Sequence, residues 1–332
     1  THLRPCAVLS VSVIAVSVYR QMDKVMIGAM SDMTQTGYYE NAEKIILCLA
    51  GFISAIGTVM LPKVSHMTAQ GRMEDVKKHI DASMDLVMCM VCALGFGLIG
   101  FVDDFCKLVK KQNEGLRPWQ KIVLQLLIAI LYLVFMMRFG GLTTALYLPY
   151  FGIEIELCIF YYVLAILFIL GFVNSVNLTD GIDGLASSVT LAVGLFFAVA
   201  AHLAADRGLF LVSACIVGGT LGFLMYNFHP ARVFMGDTGS LFIGGIIMGC
   251  AISEGHIFAV IIMSMVFILE MFSSLWQRVY FKLTKGKRFF KKAPVHHHFQ
   301  LMDWSENKIV AVFSIASVIL GAIGVLGAVL RF

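Results

Sequence analysis

Residues 157–203 read LCIFYYVLAILFILGFVNSVNLTDGIDGLASSVTLAVGLFFAVAAHL. Two apolar runs flank one polar insert, Asn174-Ser-Val-Asn177-Leu-Thr-Asp180-Gly181-Ile-Asp183-Gly184. Neither run alternates apolar with polar residues, so neither has the pattern of a half-buried strand. Each approaches the ~20 apolar residues that a helix needs to cross a ~30 Å hydrocarbon core. The stretch therefore predicts two membrane helices joined by a polar turn, in an all-α, polytopic protein.

The rest of the chain agrees. Of 332 residues, 59% are hydrophobic and 14% charged, with a mean hydropathy of +0.86. Soluble domains carry about 45–50% apolar and about 25% charged residues, so a soluble enzyme, a disordered chain and a disulfide-stapled domain are excluded. Unbroken apolar runs also speak against a β-barrel, whose strands alternate. About ten spans are expected, over 5–19, 45–62, 86–102, 121–138, 157–175, 187–203, 209–226, 239–253, 256–276 and 308–330. The first run lacks a signal-peptide pattern. The eight cysteines lie mostly inside apolar runs; Cys89-Met-Val-Cys92 has redox spacing without a βαβ context and reads as packing.

About two thirds of the 25 Lys and Arg residues fall in loops after odd-numbered spans. By the positive-inside rule those loops are cytoplasmic and both termini extracytoplasmic. Loop 63–85 departs from the rule, with Lys63, Arg72, Lys77 and Lys78 on the opposite side. The unusual polar clusters follow spans three, five, seven and nine, so all four face the same side. They are expected to converge on one cytoplasm-facing site.

Asp103-Asp104-Phe-Cys-Lys107 ends the third span. Neighbouring helical residues point about 100° apart, so these carboxylates are not expected to hold one ligand side by side. One would face the site while its neighbour positions a lysine or a backbone group; the plainer reading is an Asp103–Lys107 surface ion pair. Lys121 either reaches a phosphate or anchors span four at the interface. The insert quoted above combines Asn174, Asn177, Asp180 and Asp183 with Gly181 and Gly184, which permit tight turns and close ligand approach. After span seven, Asp237 lies between Gly236 and Gly239 and is either a helix cap or a metal ligand; Phe234 either stacks on a planar base or faces lipid. After span nine, His296-His297-His298 lack zinc spacing. Beside Lys287, Arg288, Lys291 and Lys292 they read as a polyanion-binding surface, the lysines alone also suiting anionic lipid head groups.

This inventory offers carboxylates for a divalent cation, cationic groups for phosphates and Asn, Asp and an aromatic for a base. Mg²⁺ takes one or two carboxylates and keeps waters beside substrate phosphates. The set fits Mg²⁺-assisted phosphoryl transfer between a soluble nucleotide and a lipid. Walker, kinase-loop and Rossmann motifs are missing, and nothing points to nucleic acid.

Four segments carry a resemblance: GLIGFVDDFCKLVKKQNEGLRPWQK (97–121), NSVNLTDGIDGLASS (174–188), FMGDTGSLFIGG (234–245) and PVHHHFQLMDWSE (294–306). Over about 86–332 the chain resembles the phospho-N-acetylmuramoyl-pentapeptide transferases, a branch of the polyprenyl-phosphate N-acetylhexosamine-1-phosphate transferases. The resemblance implies a multi-pass protein of the bacterial cytoplasmic membrane. It would transfer the phospho-sugar of UDP-N-acetylmuramoyl-pentapeptide to undecaprenyl phosphate, yielding lipid I and UMP for peptidoglycan synthesis. It further implies Asp103, Asp104, Asp237 and Lys121 as catalytic and Asp237 as the Mg²⁺ ligand. Asn174, Asn177, Asp180, Gly181, Asp183, Phe234, His296, His297 and His298 would bind substrate. Surrounding membrane lipids are partners, and a homodimer is among the assemblies the sequence allows.

Residues 1–85 are different. VYRQMDKVMIGAMSDMTQTGYYENAEKI (18–45) and TVMLPKVSHMTAQGRMEDVKKHIDASMDLV (58–87) resemble polysaccharide flippases of the multidrug/oligosaccharidyl-lipid exporter superfamily. In those proteins the LPKVS loop is cytoplasmic, which accounts for the misplaced basic residues. The chain reads as a flippase-type segment, 1–85, joined to a transferase unit, 86–332, without that family's first two helices. Three alternatives stand beside the leading reading: an N-acetylglucosamine-1-phosphate transferase, a lipid-linked oligosaccharide flippase and an inactive chimera.

Overall fold

The computed structural model describes residues 60–111 and 114–329 and a few isolated positions before 60. The chain divides into two compact units, Thr1–Lys77 and Lys78–Phe332. In the first, residues 60–69 are helical, Gly71 turns the chain at φ +73° and Arg72 pairs with Asp75 at 2.7 Å. The spans expected over 5–19 and 45–62 fall wholly or largely outside the described residues.

The remaining chain forms α1 (Met73–Lys110), α2 (Pro118–Phe139), β1 (Ala145–Leu148), β2 (Ile153–Glu156), α3 (Ile159–Thr179), α4 (Leu185–Leu203), α5 (Arg207–Asn227), α6 (Gly236–Ser253), α7 (Ile257–Met263), α8 (Met265–Leu283), α9 (Val295–Gln300) and α10 (Glu306–Val329). Among the described residues, α1–α6 and α10 are long and apolar enough to cross a membrane. At 1.5 Å per residue, the 38 residues of α1 run about 57 Å, well beyond a ~30 Å core. Eight of the ten expected spans are thus found, one of them altered. The ninth is broken at Ser264, where α7 and α8 meet at 81°. Its hydropathy reads as one run because the break replaces only one residue's worth of helix. The hairpin β1–β2 was not expected either. It pairs Ala145 with Glu156 and Leu148 with Ile153, in four-residue strands too short for a clear alternation to register.

Packing centres on α3, which lies against α6, α8 and α2, while α4 packs on α5 and α10. Phe96, Ala93, Val173, Leu185, Leu241, Met248 and Phe267 are fully buried. Small residues permit the approach of backbones that lipid-embedded helices rely on. A methyl group on Gly244 would come within 2.7 Å of the Val173 Cα, and one on Gly245 within 3.1 Å of the Ala93 Cα. Polar groups also tie helices together. The Tyr132 hydroxyl donates to the Gly249 carbonyl at 2.7 Å, and Gln125 and Asn174 exchange amide hydrogen bonds between α2 and α3. These contacts hold the bundle together along its length, and one of its ends is where α1, α3 and α5 finish and α2, α4 and α6 begin. All the polar segments of interest lie there.

Candidate active site

Asp237 stands in the first turn of α6 and gathers groups from three other segments. Its Oδ1 accepts from Asn177 Nδ2 at 2.6 Å. Its Oδ2 accepts from Lys107 Nζ at 2.9 Å and Lys121 Nζ at 3.0 Å. Asn177 also donates to Ser240 Oγ at 2.9 Å, holding the amide between α3 and α6. The backbone of Asp237 is clamped from α1, because a methyl group on Gly100 would collide with its carbonyl.

Asp103 and Asp104 close the arrangement. Asp103, only 3% exposed, accepts from the Leu116 amide at 2.7 Å and from Lys107 Nζ at 2.7 Å. Asp104 accepts from the Thr238 amide at 3.0 Å and from its hydroxyl at 2.8 Å. It therefore sits at the N-terminus of α6, where unsatisfied N–H groups and the helix dipole favour an anion. One oxygen from each of Asp103, Asp104 and Asp237 lies within 4.8 Å of the others. The paired carboxylates thus lie closer to one centre than the divergence of adjacent side chains predicts. Adjacent side chains do diverge by about 100°, but α6 meets α1 along its edge and places Asp237 between them. The surface ion pair is corrected: Asp103 is buried, and Lys107 donates to all three carboxylates, at 2.7, 3.3 and 2.9 Å.

Three hard carboxylate donors suit a divalent cation of the oxygen-seeking kind. The Lys107 ammonium lies among the three carboxylates and offsets part of their charge. Asp180, at the end of α3, lies next to this charge. Burial, and then the Asp237 carboxylate, push its carboxyl up to about 6, opposed by a hydrogen bond from the Gly236 backbone.

The other expected residues fall into two further groups. Asp183 accepts from His229 Nδ1 at 3.1 Å and from the Ala231 amide at 2.9 Å, and His229 also meets Glu306 at 3.1 Å. Asn174 spends its amide on Gln125 and the Leu170 carbonyl, one turn behind Asn177. Phe234 is 72% exposed, on a loop that the buried Asn227 holds through the Val233 carbonyl at 2.9 Å.

The histidine triplet is not the common surface expected of it, because a short helix points consecutive rings in different directions. His296 is fully buried against Glu270. His297 pairs with Gln300 at 2.7 Å, and burial lowers its basicity. His298 accepts from the Lys291 amide at 3.1 Å and packs edge-on against Phe290. Gly181, exposed on the turn, lies directly above His296.

Sequence reasoning missed Lys107 as a central group, and with it Thr238, Ser240, His229, Glu306 and Glu270. For Lys107 the signal was its spacing, four residues after Asp103 and three after Asp104, on one helix face. For Glu270 it was the lone acid in an apolar run.

Fold and site together define a multi-span membrane protein with a carboxylate–lysine centre at one end of its bundle. Residues 86–255 match Glycosyl transferase family 4, and residues 4–110 match a second family, Polysaccharide biosynthesis protein. Three similar proteins each carry the name phospho-N-acetylmuramoyl-pentapeptide-transferase. That of Desulfitobacterium hafniense is 42% identical over 255 residues, 74% of this chain and 76% of its own length. That of Heliobacterium modesticaldum is 45% identical over 234 residues, 70% and 72%, and that of Caldicellulosiruptor bescii 44% over 230, 69% and 71%. The chain belongs to Glycosyl transferase family 4, and within it to the phospho-N-acetylmuramoyl-pentapeptide transferases.

Proposed function

We propose that the chain transfers phospho-N-acetylmuramoyl-pentapeptide from its UDP derivative to undecaprenyl phosphate, releasing UMP and forming lipid I at the cytoplasmic face of a bacterial membrane. The observation that carries this reading is the meeting of Asp103, Asp104, Asp237, Lys107 and Lys121 at one end of the bundle. Phosphoryl transfer asks mainly for positioning and for neutralisation of charge on the phosphate oxygens. Two lysines and a cation-collecting carboxylate cluster at a membrane boundary meet that need.

Asp103, Asp104 and Asp237 would hold Mg²⁺, which supplies Lewis-acid stabilisation of the diphosphate when bound. Lys121 and Lys107 would orient the diphosphate and take up charge on its oxygens. An oxygen of the lipid phosphate attacks the β-phosphorus, the bond to UMP breaks, and UMP leaves as the anion. Direct attack is preferred to a phospho-enzyme on Asp237, because a carboxylate engaged with a metal is a weak nucleophile and a phosphate dianion needs little activation. Asp183, Phe234 and the 180–184 turn would receive the nucleotide.

We further infer that residues 1–85 are a flippase-type segment joined to the transferase unit 86–332. The two family matches overlap over 86–110, inside the continuous helix α1, and support that reading.

Donor competition tests the activity. Purified protein in detergent, supplied with Mg²⁺ and undecaprenyl phosphate, is expected to release UMP from UDP-N-acetylmuramoyl-pentapeptide and to leave UDP-N-acetylglucosamine untouched. Turnover of the second donor alone would make the protein an N-acetylglucosamine-1-phosphate transferase. Turnover of neither would favour the inactive chimera.

A further inference from the structure

Glu270 and His296 are both completely buried, on α8 and α9. A carboxylate inside a membrane-length helix is costly to keep and is retained where it has a task. Glu270 has one side-chain hydrogen bond, which its Oε2 accepts from His296 Nδ1 at 2.9 Å. Its Oε1 has no partner among the described residues, and neither does His296 Nε2. One turn along, Ser273 Oγ accepts from the Val295 amide at 3.0 Å. Two successive turns of α8 thus grip the start of α9.

The free ring nitrogen faces the polar turn. A methyl group on Gly181 would collide with His296 Nε2, so the imidazole forms the floor on which the 180–184 segment rests. That segment carries Asp180 and Asp183, and Asp180 accepts from the Gly236 backbone beside Asp237. With Glu270 accepting, the ring proton of His296 lies on Nδ1, and Nε2 is the nitrogen that faces Gly181. A half-satisfied buried pair is poor value for stability alone.

We infer that Glu270 is a positioning residue that sets the ring proton and orientation of His296 beneath the 180–184 turn, and through that turn the carboxylates of the site. Its kinetic consequence rests on the transferase reading above; its spectroscopic consequence does not.

The test combines Glu270→Gln, His296→Gln and the double variant, in the full chain in detergent. With ¹⁵N-labelled histidine, the unaltered protein is expected to show His296 protonated at Nδ1, and Glu270→Gln to shift the ring to a mixture of tautomers. Turnover number is expected to fall about 10–100-fold in Glu270→Gln with KM for the nucleotide changed less than about threefold. In the His296→Gln background, Glu270→Gln is expected to cost less than about twofold more. Unchanged ring resonances, an unprotonated Nδ1 in the unaltered protein, or a full additional loss in the double variant would overturn the inference. So would a fall in thermal midpoint large enough to account for the lost turnover. If the unaltered protein shows no turnover, the proposed activity fails and the ring proton alone decides on Glu270.

Discussion

The ammonium of Lys107 lies 2.9 Å from Asp237 Oδ2, although 130 residues separate the two in sequence. It also reaches Asp103 and Asp104, so one cation satisfies three carboxylates drawn from α1 and α6. A divalent cation would enter that focus only as the ammonium withdraws. Withdrawal would free Lys107 to meet a phosphate at the moment the cation needs one.

Lys107→Ala follows from this competition. Apparent Mg²⁺ affinity is expected to rise at least about threefold, because the competing ammonium is gone, while turnover falls about tenfold or more with the loss of a phosphate contact. Mg²⁺ titrations of turnover and of calorimetric binding read the two effects separately. Weaker Mg²⁺ binding in this variant would count against the exchange.

Asp237→Asn keeps the size of the side chain and leaves an oxygen to accept from the lysines, but removes the charge. Turnover is expected to drop about 10³-fold and Mg²⁺ dependence to weaken, with thermal stability little changed. Near-normal turnover would remove Asp237 from the proposed metal site.

Gly100→Ala tests the backbone clamp between α1 and α6. The added methyl collides with the Asp237 carbonyl, so the helices must part or bend, at a cost of about 1–3 kcal/mol. Turnover is expected to fall about a hundredfold, more than the stability change explains, since an error of about 1 Å at a reacting centre is that expensive. A thermal melt and an activity assay on the same preparation check it.

Away from the site, Glu254 follows the end of α6 and bonds to Asp206. Burial, then Asp206 and Asp85, push its carboxyl up to about 8 from the usual 4.5. The folded state then keeps a proton that the unfolded chain releases above about pH 4.5. Stability is therefore greatest below that pH, declines as pH rises toward 8 and levels off beyond. Thermal midpoints of the unaltered protein are expected to fall across this window, and those of Glu254→Gln to fall less. Parallel curves would contradict the account.

Much of this was legible in the chain. Span length follows from apolar runs, which is why α2, α3, α4 and α10 lie close to where they were expected. The single-sided placement of the polar segments follows from counting spans: Asp103, Asp104, Asn177, Lys121 and Asp237 meet, and the fourth segment joins them through His296 beneath Gly181 and Glu306 against His229. What the sequence hid depends on how helices meet. The 81° bend at Ser264 leaves no gap in hydropathy. Lys107 joins Asp103 and Asp104 by spacing within α1, but the third carboxylate, Asp237, comes from another helix, which no such spacing encodes. His296 is buried because α9 folds back on Glu270, while its neighbours in the triplet turn elsewhere.

The most direct measurement follows UMP release from UDP-N-acetylmuramoyl-pentapeptide with and without undecaprenyl phosphate, and with and without Mg²⁺. The account predicts UMP and lipid I in equal amounts, only when both lipid and Mg²⁺ are present. A stoichiometric burst of UMP without the lipid would instead place a covalent intermediate on the protein and contradict direct attack; no UMP under any condition would contradict the transferase reading itself.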